Sequence, residues 1–233
     1  MPELPAPLPP ERRTVGQLIA ESIRAYGSQF WRVVPLGLPL AVTDQISIRH
    51  STGIQMAVFW AAAPLFVVAY LVACRLVLRA EPTRTAAALA FLVWLPFPAL
   101  RAFYILPGLA WLALMGLCVP AAMVERLSPR AALIRGRELG LADYAHALGS
   151  LAALVVVVGV ADSALSALIH TQGDSGQRVA LFLSDLVLSP LLFLGGALLY
   201  VDQAARAVRS AHADLHPPVD PDAAGRPDPQ VES

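Results

Sequence analysis

The chain has 233 residues, of which 57% are hydrophobic and 15% charged, with a mean hydropathy of +0.61 and a formal net charge of zero. A soluble domain needs more polar groups than this to cover its surface, so composition points to a membrane protein, and nothing in the charge balance marks a nucleic-acid partner. All 17 basic residues are arginine, as a GC-rich bacterial genome would produce, and membrane orientation depends on where they lie more than on the total.

Met1 to Arg13 is proline-rich without an apolar centre, and reads as an unstructured lead rather than a signal peptide. Thr14 and Gln17 form a capping-box pattern. Val15, Leu18, Ile19, Ile23, Tyr26 and Phe30 then recur at helical spacing, which predicts an amphipathic helix on the cytoplasmic face. Arg12, Arg13, Arg24 and Arg32 would hold that end inside.

The first apolar stretch, Val33 to about Ile48, is interrupted by Pro35 and Pro39, so it reads either as a crossing or as a re-entrant hairpin. Met56 to Cys74 is a clearer span containing Pro64, with Arg75, Arg79 and Arg84 marking its cytoplasmic exit. Ala86 to Leu100 begins a third, and the Pro107-Gly108 pair reads as either the following turn or a kink within the fourth. The fourth, Ile105 to Val124, is uncharged for about 20 residues, the length that matches a hydrocarbon core of roughly 30 Å.

A basic elbow follows, with Arg126, Arg130, Arg135 and Arg137 inside a dozen positions. Ser128 and Pro129 supply a helix start. The helix beyond them is read either as interfacial, with Leu133, Ile134 and Leu141 toward the acyl boundary, or as a solvated connection. Ala147 to Ile169 and Val179 to Val201 form a helical hairpin around the polar stretch His170 to Arg178, and from about residue 211 the tail reads as unstructured. The predicted fold is therefore an all-α polytopic bundle over residues 14–210, with about six transmembrane helices plus amphipathic interfacial ones. This arrangement leaves 14 arginines inside and three outside, Arg49, Arg101 and Arg178, and so places both termini in the cytoplasm of a bacterial inner membrane. No tandem repeat with a fixed period is visible.

Within the last hairpin, Gly159, Asp162, Ser163 and Ser166 share one helical face, and Asp185, Ser189 and Gly196 share another. Small and hydroxyl side chains predict a packing seam holding two acids at similar depth, either an outward-facing polar site or a hydrated structural contact near the interface. Such a pair would share a proton or be neutralised by an arginine. Cys74 and Cys118 lack metal or redox spacing and read as buried thiols. His212, Asp214 and His216 have the spacing of a metal pair, but sit at the edge of the tail without further ligands. No nucleophile with a base, phosphate loop or clustered metal site is evident, and Ser128 or His146 beside Asp143 reads as chance.

The amphipathic start, the Leu106-Pro107-Gly108 triplet, the elbow with Pro120, Glu125 and a helix around Ala132 to Leu139, and the closing Tyr200 and Asp202 resemble a family of bacterial multi-pass membrane proteins. That family includes the membrane domain fused to some glycerophosphoryl diester phosphodiesterases. The chain departs from its pattern at Arg135-Gly136, where arginine-serine is usual, and at Ala204, where another arginine is usual. The resemblance implies an all-helical membrane domain and no activity, since six spans leave no room for the soluble phosphodiesterase. The sequence thus predicts a non-catalytic scaffold, regulatory or lipid-interacting domain without a cofactor, whose arginines meet anionic headgroups or another membrane protein. The alternative is a small transporter or channel built on Asp162 and Asp185.

Overall fold

The computed structural model describes residues 9–103, 105–169 and 173–215. In chain order the helices are α1 (Val15–Ser28), α2 (Phe30–Val33), α3 (Leu38–Ser47), α4 (Thr52–Ala61), α5 (Ala63–Leu78), α6 (Arg84–Trp94), α7 (Phe97–Phe103), α8 (Ile105–Met115), α9 (Cys118–Val124), α10 (Pro129–Ala142), α11 (Tyr144–Ile169), α12 (Gly173–Leu188) and α13 (Pro190–Leu215). Pro10–Arg12 and Val34–Gly37 form 3-10 turns, and no strand occurs among the described residues.

Hydroxyl caps start the polar-faced helices. Thr14 closes a complete capping box with Gln17 at α1, Thr83 accepts from the Ala86 amide at α6, and Ser128 accepts from the Ala131 amide at α10. Prolines set the breaks. Pro64 follows the junction of α4 and α5, where the chain bends by 53°, and Pro190 opens α13 after Ser189. Pro107 and Gly108 lie inside α8, so the pair is not the turn that precedes the fourth span. The helix is interrupted at Gly116 and Leu117, with Gly116 four residues ahead of Pro120. Pro120 has no amide hydrogen for the Gly116 carbonyl, and the Tyr70 hydroxyl donates to that carbonyl at 3.2 Å.

The long hairpin organises the rest. Helix α11 runs antiparallel to α12 and α13, with Asp162 opposite Ser184, Leu154 against Gly195 and His146 near Asp202. On the α12 side, Gly37 lets the turn before α3 lie directly on the Leu186 carbonyl, the one that Pro190 leaves without a helical donor. Helix α5 flanks α13 through Tyr70 and Gly196. One core joins α5, α6 and α9 around Leu71, Cys74, Leu89 and Val119, and a second joins α1, α8, α11 and α13 around Leu18, Ala113, Leu154 and Leu199. At the α6 end, Phe66 stacks on Trp94 with centroids 4.1 Å apart.

Three helices are long and apolar enough to cross a membrane, Ile105–Val124, Tyr144–Leu165 and Gly176–His212, or four if the bent α4–α5 pair is one span. Only 17% of the apolar window in Tyr144–Leu165 is buried, and Val156 and Val160 are more than half exposed. Water does not cover such a surface stably, which makes these helices compatible with membrane spans. The first apolar stretch is broken into α2, a turn and the ten-residue α3, about 15 Å long, because Pro35 and Pro39 interrupt it. The third, Arg84–Leu100, is apolar but short.

Both ends differ from expectation. Residues 10–13, read as part of an unstructured lead, form a turn pinned to α13, and α13 continues to Leu215, past the predicted onset of the tail.

Candidate functional site

The basic elbow begins where Arg126, in the left-handed region with φ of 50°, terminates α9. Helix α10 then folds back along α8 and α9. A Cβ on Gly136 would stand 2.5 Å from the Cys118 backbone, and one on Gly140 would stand 2.8 Å from the carbonyl oxygens of Ala113 and Leu114. Ala132, Gly136, Leu139 and Gly140 are buried in that contact. Ile134 and Leu141 stay about half exposed, whereas Leu133 packs on the α5–α6–α9 core.

The four elbow arginines divide. Arg135 donates from Nε to Glu125 at 3.3 Å and lies 3.6 Å from Glu138, while the Tyr200 hydroxyl donates to Glu125 at 3.0 Å. Its charge is met by two partly exposed acids. Arg126, Arg130 and Arg137 are exposed and have no carboxylate partner among the described residues. Arg137 also borders a groove of about 590 Å³ between α6, α7, α8 and α10, which Trp60 of α4 reaches.

A buried polar cluster lies where the amino-terminal turn, the start of α11 and the second half of α13 meet. Asp202 is fully buried, and its Oδ1 accepts from Arg13 Nη1 at 2.5 Å. Asp143 caps α11 by accepting from the His146 amide at 3.1 Å and pairs with Arg206 at 2.7 Å. Arg206 Nη2 donates to the Arg13 carbonyl at 2.7 Å, and Gln203 Nε2 donates to the Asp143 carbonyl at 3.0 Å. Asp202 Oδ2, Gln203 Oε1 and Arg206 Nε have no hydrogen-bond partner there. Ser150 Oγ and Asp202 Oδ2 both approach His146 Nε2, at 3.5 and 3.8 Å. A Ser–His–Asp relay uses different ring nitrogens for its two partners, whereas Ser150 and Asp202 both approach the same one. Sequence reasoning missed the cluster, although an acid, an amide and a base at positions 202, 203 and 206 on one apolar helix signalled it. The Ser128 hydroxyl is occupied as a cap and Asp143 by Arg206.

The acids of the hairpin lie on α11 and α12. Asp162 accepts a hydrogen bond from Ser184, a residue outside the predicted set, and Asp185 is buried. Ser163 donates to the Gly159 carbonyl and Ser189 to the Asp185 carbonyl, so both hydroxyls serve their own helices. Gly159 faces open space and Gly196 faces Tyr70, while Gly195 is the glycine that meets α11. The break at Ser189 and Pro190 shifts the helical phase that the predicted face assumed to be continuous. The Ser166 side chain lies outside the described residues, as does that of Arg101.

Arg49 and Arg178, two of the three arginines expected outside, line a concavity of about 160 Å³ with Ile48, Gln177 and Leu181. It lies roughly 40 Å along α12 and α13 from the Arg206 cluster. Cys74 and Cys118 are buried and unbridged. Among the described residues no three His, Cys, Asp or Glu could hold a metal; His212 lies near the end of α13, and the Asp214 side chain and His216 fall outside them.

No family model, curated protein or solved structure matches the chain.

Proposed function

We propose that the protein is a non-catalytic domain of a bacterial inner membrane, crossing six times with both termini cytoplasmic, whose elbow engages anionic lipid headgroups. The single observation behind this reading is that Arg126, Arg130 and Arg137 stand exposed without carboxylates among the described residues, while Arg135 beside them is paired. Guanidinium groups placed this way at the end of an apolar run form charge-assisted hydrogen bonds to phosphate. Six crossings require α2–α3 and α6–α7 to be completed by their flanking turns, an arrangement favoured by the arginine distribution. The resemblance to the membrane domain of glycerophosphoryl diester phosphodiesterases belongs to the same reading. A transport site at Asp162 and Asp185 has less support, because Ser163 and Ser189 bond their own helices.

The test is extraction in polymer-bounded discs from membranes of mixed phosphatidylglycerol and phosphatidylethanolamine, followed by lipid analysis. The wild type is expected to be enriched in phosphatidylglycerol, and the Arg126→Gln, Arg130→Gln, Arg137→Gln triple variant to match the bulk. Equal enrichment in both proteins would remove the elbow from the account.

A further inference from the structure

The groove beside Arg137 has walls of a single chemical kind. Leu92, Trp111, Met115 and Leu133 contribute apolar surface, and Trp60 stands at the α4 edge. Both indole N–H groups are already hydrogen-bonded. Trp60 Nε1 donates to the Leu95 carbonyl at 2.9 Å and Trp111 Nε1 to the Val93 carbonyl at 2.8 Å, two carbonyls at or just past the end of α6. What remains for a ligand is hydrocarbon wall and one guanidinium. The volume of about 590 Å³ falls within the roughly 300–1,000 Å³ of small-molecule sites.

The guanidinium is the one charged group among the groove's lining residues. Gly136 abuts Cys118, seven residues before Glu125, so Arg137 lies about 10 Å back along the apolar run Ile105–Val124 from its charged end. A cation beside apolar surface that faces lipid is stabilised by an anion. An alkyl chain gains little by leaving bilayer for groove, since lipid tails are as apolar as the wall, so selection falls on the charge. We propose that the groove holds one phospholipid, its phosphate on Arg137 and one acyl chain along Leu92, Trp111 and Met115. This deepens the elbow reading and rests on its membrane placement, but not on Arg126 or Arg130.

Native mass spectrometry after mild detergent release from phosphatidylglycerol and phosphatidylcholine vesicles tests the assignment. The wild type and Arg130→Gln are expected to retain one phosphatidylglycerol. Arg137→Gln should lower its occupancy roughly tenfold, as loss of one charge-assisted contact implies. Ala99→Trp, which fills the groove without touching the charge, should lower it as far. Retention by Ala99→Trp, equal retention by Arg137→Gln, or a lipid-free wild-type dimer would overturn the site. A retained lipid lost in both groove variants would stand even if an Arg126→Gln, Arg130→Gln double variant kept its phosphatidylglycerol enrichment in discs, so the two readings fail separately.

Discussion

Asp202 ties the amino-terminal turn to the last helix, because its fully buried carboxylate meets Arg13 across 189 positions of sequence. Removing one member of a buried ion pair leaves the other charged and unpaired, at a cost of about 3–5 kcal/mol. Asp202→Asn and Arg13→Gln are therefore each expected to destabilise strongly in detergent-micelle unfolding, and the double variant by clearly less than the sum. Additive losses would show that the pair is not coupled. The exposed Arg24–Glu21 pair offers a contrast, and Glu21→Gln is expected to change stability by less than ~1 kcal/mol in the same assay. Burial, which decides between these outcomes, was not legible from the residues: both pairs look alike as an arginine and an acid, and only the fold encloses one of them.

At the scale of elements, two helices share one construction. Helices α1 and α10 each span 14 residues, begin at a hydroxyl cap, and end one residue before a new helix that opens on an aromatic, Phe30 or Tyr144. Their buried stripes also correspond, with Leu18 and Ser22 in the first matching Ala132 and Gly136 in the second. The caps were readable because a cap is a local bond between neighbours in sequence. The closeness of α10 to α9 was not, because it depends on which residue stands opposite Gly136. Gly136→Val is expected to cost at least ~1–3 kcal/mol by forcing the two backbones apart, read as a lowered melting temperature; an unchanged value would mean that α10 is loosely docked. The break at Gly116 was hidden as well, since an apolar run with one proline reads as continuous. Tyr70→Phe should cost about 1–3 kcal/mol by orphaning the Gly116 carbonyl, and Pro120→Ala, which restores an amide donor, should recover most of it. No recovery would show that the Tyr70 hydroxyl does other work.

Over the whole molecule, the all-helical architecture and the last hairpin were legible because long apolar periodicity needs no tertiary information. The polar cluster at Asp202 was not, because its members come from positions 13, 143, 146, 202 and 206, which only the packed bundle brings together. The length of Gly176–His212 is also informative. At 37 residues it extends roughly 55 Å, well beyond a hydrocarbon core of about 30 Å, so one end projects into a polar region. Asp202, Arg206 and Arg209 are at that end, where the elbow and amino-terminal turn gather, whereas Arg178 lies at the other.

The most direct measurement is labelling of single cysteines with a membrane-impermeant maleimide in sealed vesicles of known orientation. Cys74 and Cys118 are buried and need no replacement, which the unlabelled wild type checks. Arg130→Cys and Gln177→Cys place thiols at two exposed positions, one on the elbow and one in the first turns of α12. The account predicts that Arg130→Cys reacts only in inside-out vesicles and Gln177→Cys only in right-side-out vesicles, with the protein retained after alkaline carbonate washing. Reaction of both thiols from the same side, or release of the protein by carbonate, would contradict it.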